Sequence, residues 1–172
     1  MTDPIEELMN EHRTIEKVLT ALAAAEDHPV DLAFYQQVVD FLAHFADGCH
    51  HDKEEKRLFP SMEEKGMTQE SSLLGLMYEE HETGRAQVAL MRLCIEEGNL
   101  EAVQRVARDV VALLRDHIER EDHVLFPMAR DLLSDEELAR LGAAFATDQN
   151  QACGRYRRLA DELLSQTSTA GC

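Results

Sequence analysis

The chain has 172 residues, of which 44% are hydrophobic, and it contains no tryptophan, eight glycines and four prolines. That length suffices for one domain with its own core, and the composition predicts a globular, helical fold. The formal net charge of −17 argues against nucleic acid and against an anionic membrane as binding partners. No apolar run in the sequence is long enough to span a bilayer.

The cysteines and the N-terminus bear on the compartment in which the protein works. Cys49, Cys94, Cys153 and Cys172 show neither CxxC nor zinc-finger spacing, so we expect no structural disulfide. Residues 1–4 offer neither a basic segment nor an apolar one, so we predict no signal peptide. Both observations favour a cytoplasmic location, where thiols stay reduced.

Capping signals divide the first part of the chain into two helices. The Asp-Pro pair at residues 3–4 predicts a helix over about 4–26, because Asp is a favoured N-cap and Pro fits the first turn. Asp31 caps a second helix that reaches about Pro60 or one turn beyond it. A glycine-containing break follows at 66–68.

Three further helices are predicted in the rest of the chain. The third runs over about 71–99 and ends at a Gly-Asn pair, and the fourth runs over about 100–126 and stops at Pro127. Ser134 and Glu137 form a capping box that opens the fifth helix, over 134–164. The polar residues 166–172 are predicted to be a disordered tail.

The connections between these helices are short, so sequential helices should pack antiparallel. We therefore predict an all-α fold, an up-down-up-down four-helix bundle with an additional C-terminal helix. The domain is expected to cover residues 1–165, with the bundle itself over 3–130. A homodimer formed through the fifth helix is left open.

An eleven-residue pattern, H-x-x-x-E-x-x-x-L-F-P, occurs twice in the chain. It begins at His50 and again at His117, and its glutamates are Glu54 and Glu121. Residues four apart on a helix share one face, so each copy offers an imidazole and a carboxylate to a common point. Two such pairs that face each other make a site of nitrogen and oxygen ligands for two metal ions.

The positions of four histidines agree with a site inside the bundle. His12, His81 and His117 fall in the apolar stripe of their helices, and the helix that carries His50 is less regular. All four lie eight to ten residues from the same end of the bundle, which places them in one layer about 12–15 Å from that end. Burying this layer would cost several kcal/mol without partners. Divalent cations would remove that cost, whereas a metal-free His–Glu network of this size would be rare.

These residues resemble the hemerythrin-like, or HHE cation-binding, family in its bacterial branch. The resemblance covers about residues 3–130 and rests on Glu11-His12, on the two repeated motifs and on Glu80-His81. It implies a four-helix bundle that holds a non-heme di-iron centre with bridging glutamates. The ligands that it implies are His12, His50, Glu54, His81, His117 and Glu121.

The chain departs from the oxygen-carrying branch of that family at one ligand. That branch has a second histidine one turn before the position of His81, where this chain has Met77. His51 either replaces the missing imidazole as a seventh ligand or lies at the rim of the site. A ferritin-like site is disfavoured because no glutamate stands three residues before a candidate histidine, and the zincin motif H-E-x-x-H is also absent.

Three residues near the histidines have weaker assignments. Glu16 follows His12 by one turn and is a candidate to orient that ring. Arg85 either holds an anion near the metals, pairs with a glutamate of the second helix or extends into solvent. Tyr78 is either a redox-active or hydrogen-bonding phenol or a packing residue.

The ligand types leave the metal and the reaction partly open. Imidazole with carboxylate suits iron, manganese, cobalt or zinc, and the resemblance favours two iron ions per chain, with Fe/Mn or Zn occupancy as alternatives. The missing imidazole leaves a coordination position for a small oxidant such as dioxygen, hydrogen peroxide or nitric oxide. Peroxidase or catalase-like activity would follow. The alternatives are an iron or redox sensor or interaction module, and iron delivery for iron–sulfur repair.

Overall fold

The computed structural model of the protein describes residues 3–70, 73–148 and 151–168, which form six helices and no strand. Helices α2 and α4 each consist of consecutive segments that join without a break. The bounds are α1, Pro4–Ala24; α2, Leu32–Phe41, Leu42–His51, Glu54–Leu58 and Phe59–Glu63; α3, Leu73–Glu96; α4, Leu100–Arg120, Glu121–Leu125 and Phe126–Leu132; α5, Asp135–Asp148; and α6, Gln151–Ser168.

The predicted capping residues start these helices. Asp3 accepts hydrogen bonds from the backbone N–H groups of the first turn of α1, and Asp31 does so for α2. Ser134 and Glu137 form the predicted capping box before α5. Gly98 ends α3 with a positive φ of 69°, a conformation that costs glycine less than other residues. The predicted start of α3 near Ser71 lies outside the described residues.

The two prolines of the repeated motif do not end their helices. The prediction that the fourth helix stops at Pro127 is wrong, because α4 continues to Leu132. Proline lacks an N–H and its ring displaces the carbonyl four residues earlier. Each helix accommodates its proline by widening the turn that precedes it. The Phe59 N–H bonds to the carbonyl of Glu54, and the Phe126 N–H bonds to that of Glu121, five residues back in both cases. These π-helical turns keep each helix continuous.

Helices α1 to α4 form the predicted antiparallel bundle, in which each helix contacts the next and α4 contacts α1. Two apolar clusters fill its interior, one around Val18, Phe45 and Val110 and the other around Leu8, Phe126 and further residues near the motif prolines. The layer of histidines lies between these two clusters. Among the described residues, none of the helices combines the length and the apolar character that crossing a bilayer requires.

The predicted fifth helix corresponds to α5 and α6, and residues 149–150 between them lie outside the described part of the chain. α5 packs against α1 and the Glu54–Leu58 segment, and α6 packs against α1 and α2. Residues 166–168 belong to α6 rather than to a disordered tail, since Thr167 is buried and extends the packed face of Leu163. Residues 169–172 of the predicted tail, including Cys172, lie outside the described part of the chain.

A disulfide joins α2 to α6, so the expectation of no structural disulfide is wrong. Cys49 and Cys153 are bridged with a Cα–Cα distance of 6.3 Å across 104 residues of sequence. Local spacing could not reveal this pair, because only the packing of α6 on α2 brings the two residues together. Cys94 is a free, buried thiol.

We expect Cys153→Ser to lower the free energy of unfolding by about 2–4 kcal/mol, because a crosslink restricts the unfolded chain. Urea unfolding of the metal-free protein, with and without a thiol reductant, measures this change. Cys94→Ala is the matched control, which should keep its sensitivity to the reductant. Equal stability of oxidised wild type and Cys153→Ser would contradict the prediction.

Candidate metal centre

The side chains predicted as metal ligands converge in one buried layer between α1, α2, α3 and α4. None of them is more than 5% exposed. They form two groups, in each of which one ligand atom per residue lies within 4.8 Å of the others. The first group is His12, His50, Glu54 and Glu121, and the second is His51, Glu54, His81 and His117. The structure thus brings His51 into the layer with the six residues implied by the resemblance.

Glu54 belongs to both groups and lies between their histidines. Its Oε1 is 3.4 Å from His50 Nε2, and its Oε2 is 3.5 Å from His81 Nε2. Neither oxygen has a hydrogen-bond partner. Burial, and then the charge of Glu121, holds the pKa of Glu54 well above its ordinary value. A carboxylate with one oxygen toward each group is placed to bridge two cations.

Glu121 occupies the equivalent position on α4. Its Oε2 is 3.1 Å from His12 Nε2 and 3.3 Å from His117 Nε2. Burial acts to raise the pKa of Glu121, but the attraction of His117 and His12 outweighs it and depresses the pKa. Its oxygens also lack hydrogen-bond partners. Two buried carboxyl groups that lack hydrogen-bond partners cost several kcal/mol, so the donor set fits a cation within each of the two groups.

The electrostatics of the imidazoles suit the same role. Burial, and then the neighbouring imidazoles, holds the pKa of His50 and of His51 well below its ordinary value. Burial also acts to lower the pKa of His12, but the hydrogen bond with Asp122 and the nearby carboxylate of Glu121 raise it to about 9. His50 and His51 are therefore neutral in the metal-free protein, and a neutral imidazole has a lone pair to offer a metal.

A carboxylate on each of the four helices is hydrogen-bonded to a histidine of a neighbouring helix. The contact is made at Nδ1 in every case, which leaves Nε2 directed to the interior of the layer. The pairs are His50 with Glu11 at 3.3 Å, His81 with Glu55 at 2.7 Å, His117 with Glu80 at 2.9 Å and His12 with Asp122 at 2.6 Å. We call these four contacts the carboxylate ring. Such contacts fix the orientation and tautomer of metal-binding histidines.

Basic side chains stand behind three of these four carboxylates. Lys53 Nζ is 2.6 Å from Glu11, which Arg157 of α6 also approaches at 3.3 Å. Arg85 donates to Glu55 at 2.7 Å. Arg120 donates to Glu80. The basic residues balance charge that the buried layer would otherwise leave unpaired.

These contacts decide between the weaker sequence assignments. Glu16 does not orient His12 and instead pairs with Arg115 at 3.5 Å, because Asp122 already takes the Nδ1 of that ring. Arg85 pairs with a glutamate of α2, one of its three expected roles. Tyr78 packs edge-on against Phe59, with ring centroids 5.2 Å apart.

The phenylalanine in the L-F-P segment of each motif packs over a histidine of another helix. Phe59 stacks on His81 with ring centroids 5.8 Å apart, and Phe126 stacks on His12 at 5.4 Å. Both phenylalanines are at most 1% exposed. They form the side of the apolar cluster near the motif prolines that contacts the histidine layer, and so restrict the freedom of the two rings.

The acidic residues of the carboxylate ring were missed as a set by sequence reasoning. A signal for them exists, because each stands directly beside a predicted ligand in the sequence: Glu11 before His12, Glu55 after Glu54, Glu80 before His81 and Asp122 after Glu121. The sequence does not reveal the pairing itself. Each carboxylate contacts a histidine on another helix, and not a histidine of the helix that carries it.

The hemerythrin HHE cation binding domain family matches residues 3–129 of this chain. The chain therefore belongs to that family, and its two His/Glu groups could hold metal ions, in agreement with the domain's description. It is similar to uncharacterized proteins of Mycobacterium bovis and of two strains of Mycobacterium tuberculosis, each 24% identical over 96% of this chain and 69% of the relative. No solved structure matches it significantly.

We expect Asp122→Ala to weaken metal retention by about 10–100-fold, because it removes the acceptor that holds His12. Competition with a coloured chelator measures the change in affinity. Glu119→Ala is the matched control, since Glu119 lies on the same helix with 76% of its side chain exposed. Equal retention by the two variants would show that the contact does not position the ring.

We expect Glu54→Gln to stabilise the metal-free protein at neutral pH, by roughly 1–3 kcal/mol, because a neutral amide avoids the protonation that burial imposes on Glu54. The raised pKa of Glu54 means that the folded state keeps a proton that the unfolded chain releases, so stability falls as pH rises above the ordinary value of 4.5. The gain should vanish below about pH 4, where both states are protonated. Urea unfolding at the two pH values tests this, and a loss of stability at neutral pH would contradict it.

Proposed function

We propose that this chain is a non-heme di-iron protein that binds or reacts with a small oxidant such as dioxygen, hydrogen peroxide or nitric oxide. The observation that carries the proposal is the pair of His/Glu groups that share Glu54, all buried and with carboxylate oxygens that lack other partners. His12, His50, Glu54 and Glu121 would hold one ion. His51, Glu54, His81 and His117 would hold the other.

Two iron ions in these groups would supply redox chemistry and a coordination position for the oxidant. The residues of the chain set the conditions for it. The carboxylate ring keeps Nε2 of four histidines directed inward, and the two apolar clusters pack on both sides of the layer. Apolar surroundings of this kind limit side reactions with solvent.

The donor set is compatible with iron but does not exclude other metals. Five imidazoles and two carboxylates form a mixed nitrogen and oxygen set without thiolate, which suits iron, manganese and zinc alike. Iron is preferred because the family resemblance implies it, and Fe/Mn or Zn occupancy are the alternatives. The metal content of protein isolated without added metal distinguishes them.

The experiment that tests the function is anaerobic loading with ferrous iron, followed by addition of each oxidant. We expect about two iron ions per chain and a change in the near-ultraviolet and visible spectrum with at least one oxidant. The expected change reflects oxidation of the bound iron or ligation to it. Unchanged spectra with dioxygen, hydrogen peroxide and nitric oxide would overturn the proposal.

His51→Ala provides the matched test of the second group. We expect it to weaken retention of one of the two ions, because it removes one of the three imidazoles of that group. His44→Ala is the control, since His44 lies on the same helix with 58% of its side chain exposed. Equal iron content and equal chelator resistance of the two variants would remove His51 from the site.

A sensor or interaction module is the second candidate, and one contact favours it. Arg157 of α6 reaches Glu11, the carboxylate behind His50, so metal binding could alter how α6 packs. Hydrogen exchange of α6 in metal-free and iron-loaded protein tests this, and equal protection in both forms would count against it. Iron delivery is less favoured because both groups are buried.

The remaining expectations concern partners and location. A homodimer through the C-terminal helices stays a prediction, and the site does not require one, because all its donors come from α1 to α4. A cytoplasmic location also stays a prediction, although the bridge between Cys49 and Cys153 removes the thiol argument for it. Fractionation of cells that express the chain would test the location.

A further inference from the structure

A cavity of about 190 Å³ lies between α2, α3 and α4 and opens to the surface. His51 lies in its lining together with the buried side chains Leu42, Val110 and Leu114, and the exposed Arg92 is at its outer part. The cavity therefore leads from the surface to a residue of the second His/Glu group.

This cavity is larger than hydrogen peroxide or a diatomic gas requires. An apolar cavity of about 150 Å³ in a protein is large enough to take up benzene, and this one is larger. Its walls are mostly alanine, valine and leucine side chains. Apolar walls favour an organic group over water or hydrogen peroxide, because burial of apolar surface drives the binding.

Gly84 keeps one wall of the cavity open. Glycine inside a helix costs about 1 kcal/mol relative to alanine, and the packing here does not demand it, since an added Cβ would find its nearest neighbour, Leu113 Cδ2, at 3.9 Å. The side chain that is missing at this position leaves space between α3 and α4.

Arg85 lines the cavity, and three carboxylates hold its guanidinium in place. Its guanidinium donates to Asp47 at 2.8 Å, to Glu82 at 2.6 Å and to Glu55 at 2.7 Å. A side chain fixed in this way cannot readily fold inward to fill the apolar volume. Arg85 and Asp47 instead form a polar edge beside His51.

The polar end of the cavity has an unpaired buried nitrogen. His51 is 5% exposed, and its Nδ1 has no hydrogen-bond partner and lies 3.5 Å from the nearest oxygen of Asp47. A ligand with one hydroxyl or hydroperoxyl head would find polar atoms at this end and apolar walls along the rest of the cavity.

We infer that this cavity binds the compact alkyl or aryl group of an organic hydroperoxide, with the polar head toward His51. The inference names a substrate class and rests on the proposed function for any reaction, whereas binding itself does not require the metals. Cumyl alcohol carries the same aryl group and a hydroxyl head but no peroxide bond, so it is the probe for binding.

Binding of cumyl alcohol is measured by titration followed by NMR, on metal-free and on iron-loaded protein. We expect saturable binding to both forms, a modest reduction in Gly84→Ala, and a loss of at least about tenfold in Gly84→Leu, because leucine fills the open wall. Gly154→Leu is the matched control and should bind like wild type, since an added Cβ at this exposed helical glycine has no neighbour within 4 Å. Circular dichroism and thermal unfolding confirm that the variants fold.

The same variants connect binding with reactivity. In the iron-loaded protein, Gly84→Leu should slow the spectral change with cumene hydroperoxide by about tenfold or more and leave that with hydrogen peroxide within about twofold. Failure of wild type to bind cumyl alcohol, or equal binding by Gly84→Leu, overturns the inference. Saturable, Gly84-dependent binding in a protein whose spectrum no oxidant alters supports the cavity and overturns the proposed function.

Discussion

The carboxylate ring is the constraint on which the rest of the structure depends. Glu11 of α1 holds His50 of α2, Glu55 of α2 holds His81 of α3, Glu80 of α3 holds His117 of α4, and Asp122 of α4 holds His12 of α1. Each helix is thus fixed to the next by a contact between a carboxylate and an imidazole. The histidines can only direct Nε2 inward together when all four helices are in register.

Polar groups surround the centre of this layer in successive shells. Cations held by the two His/Glu groups would face imidazoles and two carboxylates, four of the imidazoles face the carboxylate ring, and three carboxylates of the ring face Lys53, Arg85, Arg120 and Arg157. A buried charge is tolerated when each neighbour along the way is paired. Several of the few basic residues of this strongly acidic chain therefore lie around one site.

The layer and its ligands could be predicted from the sequence, and much around them could not. Helical periodicity places His12, His81 and His117 on buried faces, and the repeated motif adds Glu54 and Glu121. By contrast, contacts between helices carry no local signal, so the partner of His12 was sought at Glu16 on the same helix and found at Asp122 on another. The bridge between Cys49 and Cys153 was missed for the same reason.

The widened turns show how a proline can set the phase of a helix. In an ordinary α-helix, a residue five positions after a ligand faces away from it, so Phe59 would diverge from Glu54 and Phe126 from Glu121. Bonding across five residues returns each phenylalanine to the side of its glutamate, where it meets a histidine of another helix. The same motif, present twice, therefore specifies a candidate ligand pair and also the phenylalanine that covers a histidine of another helix.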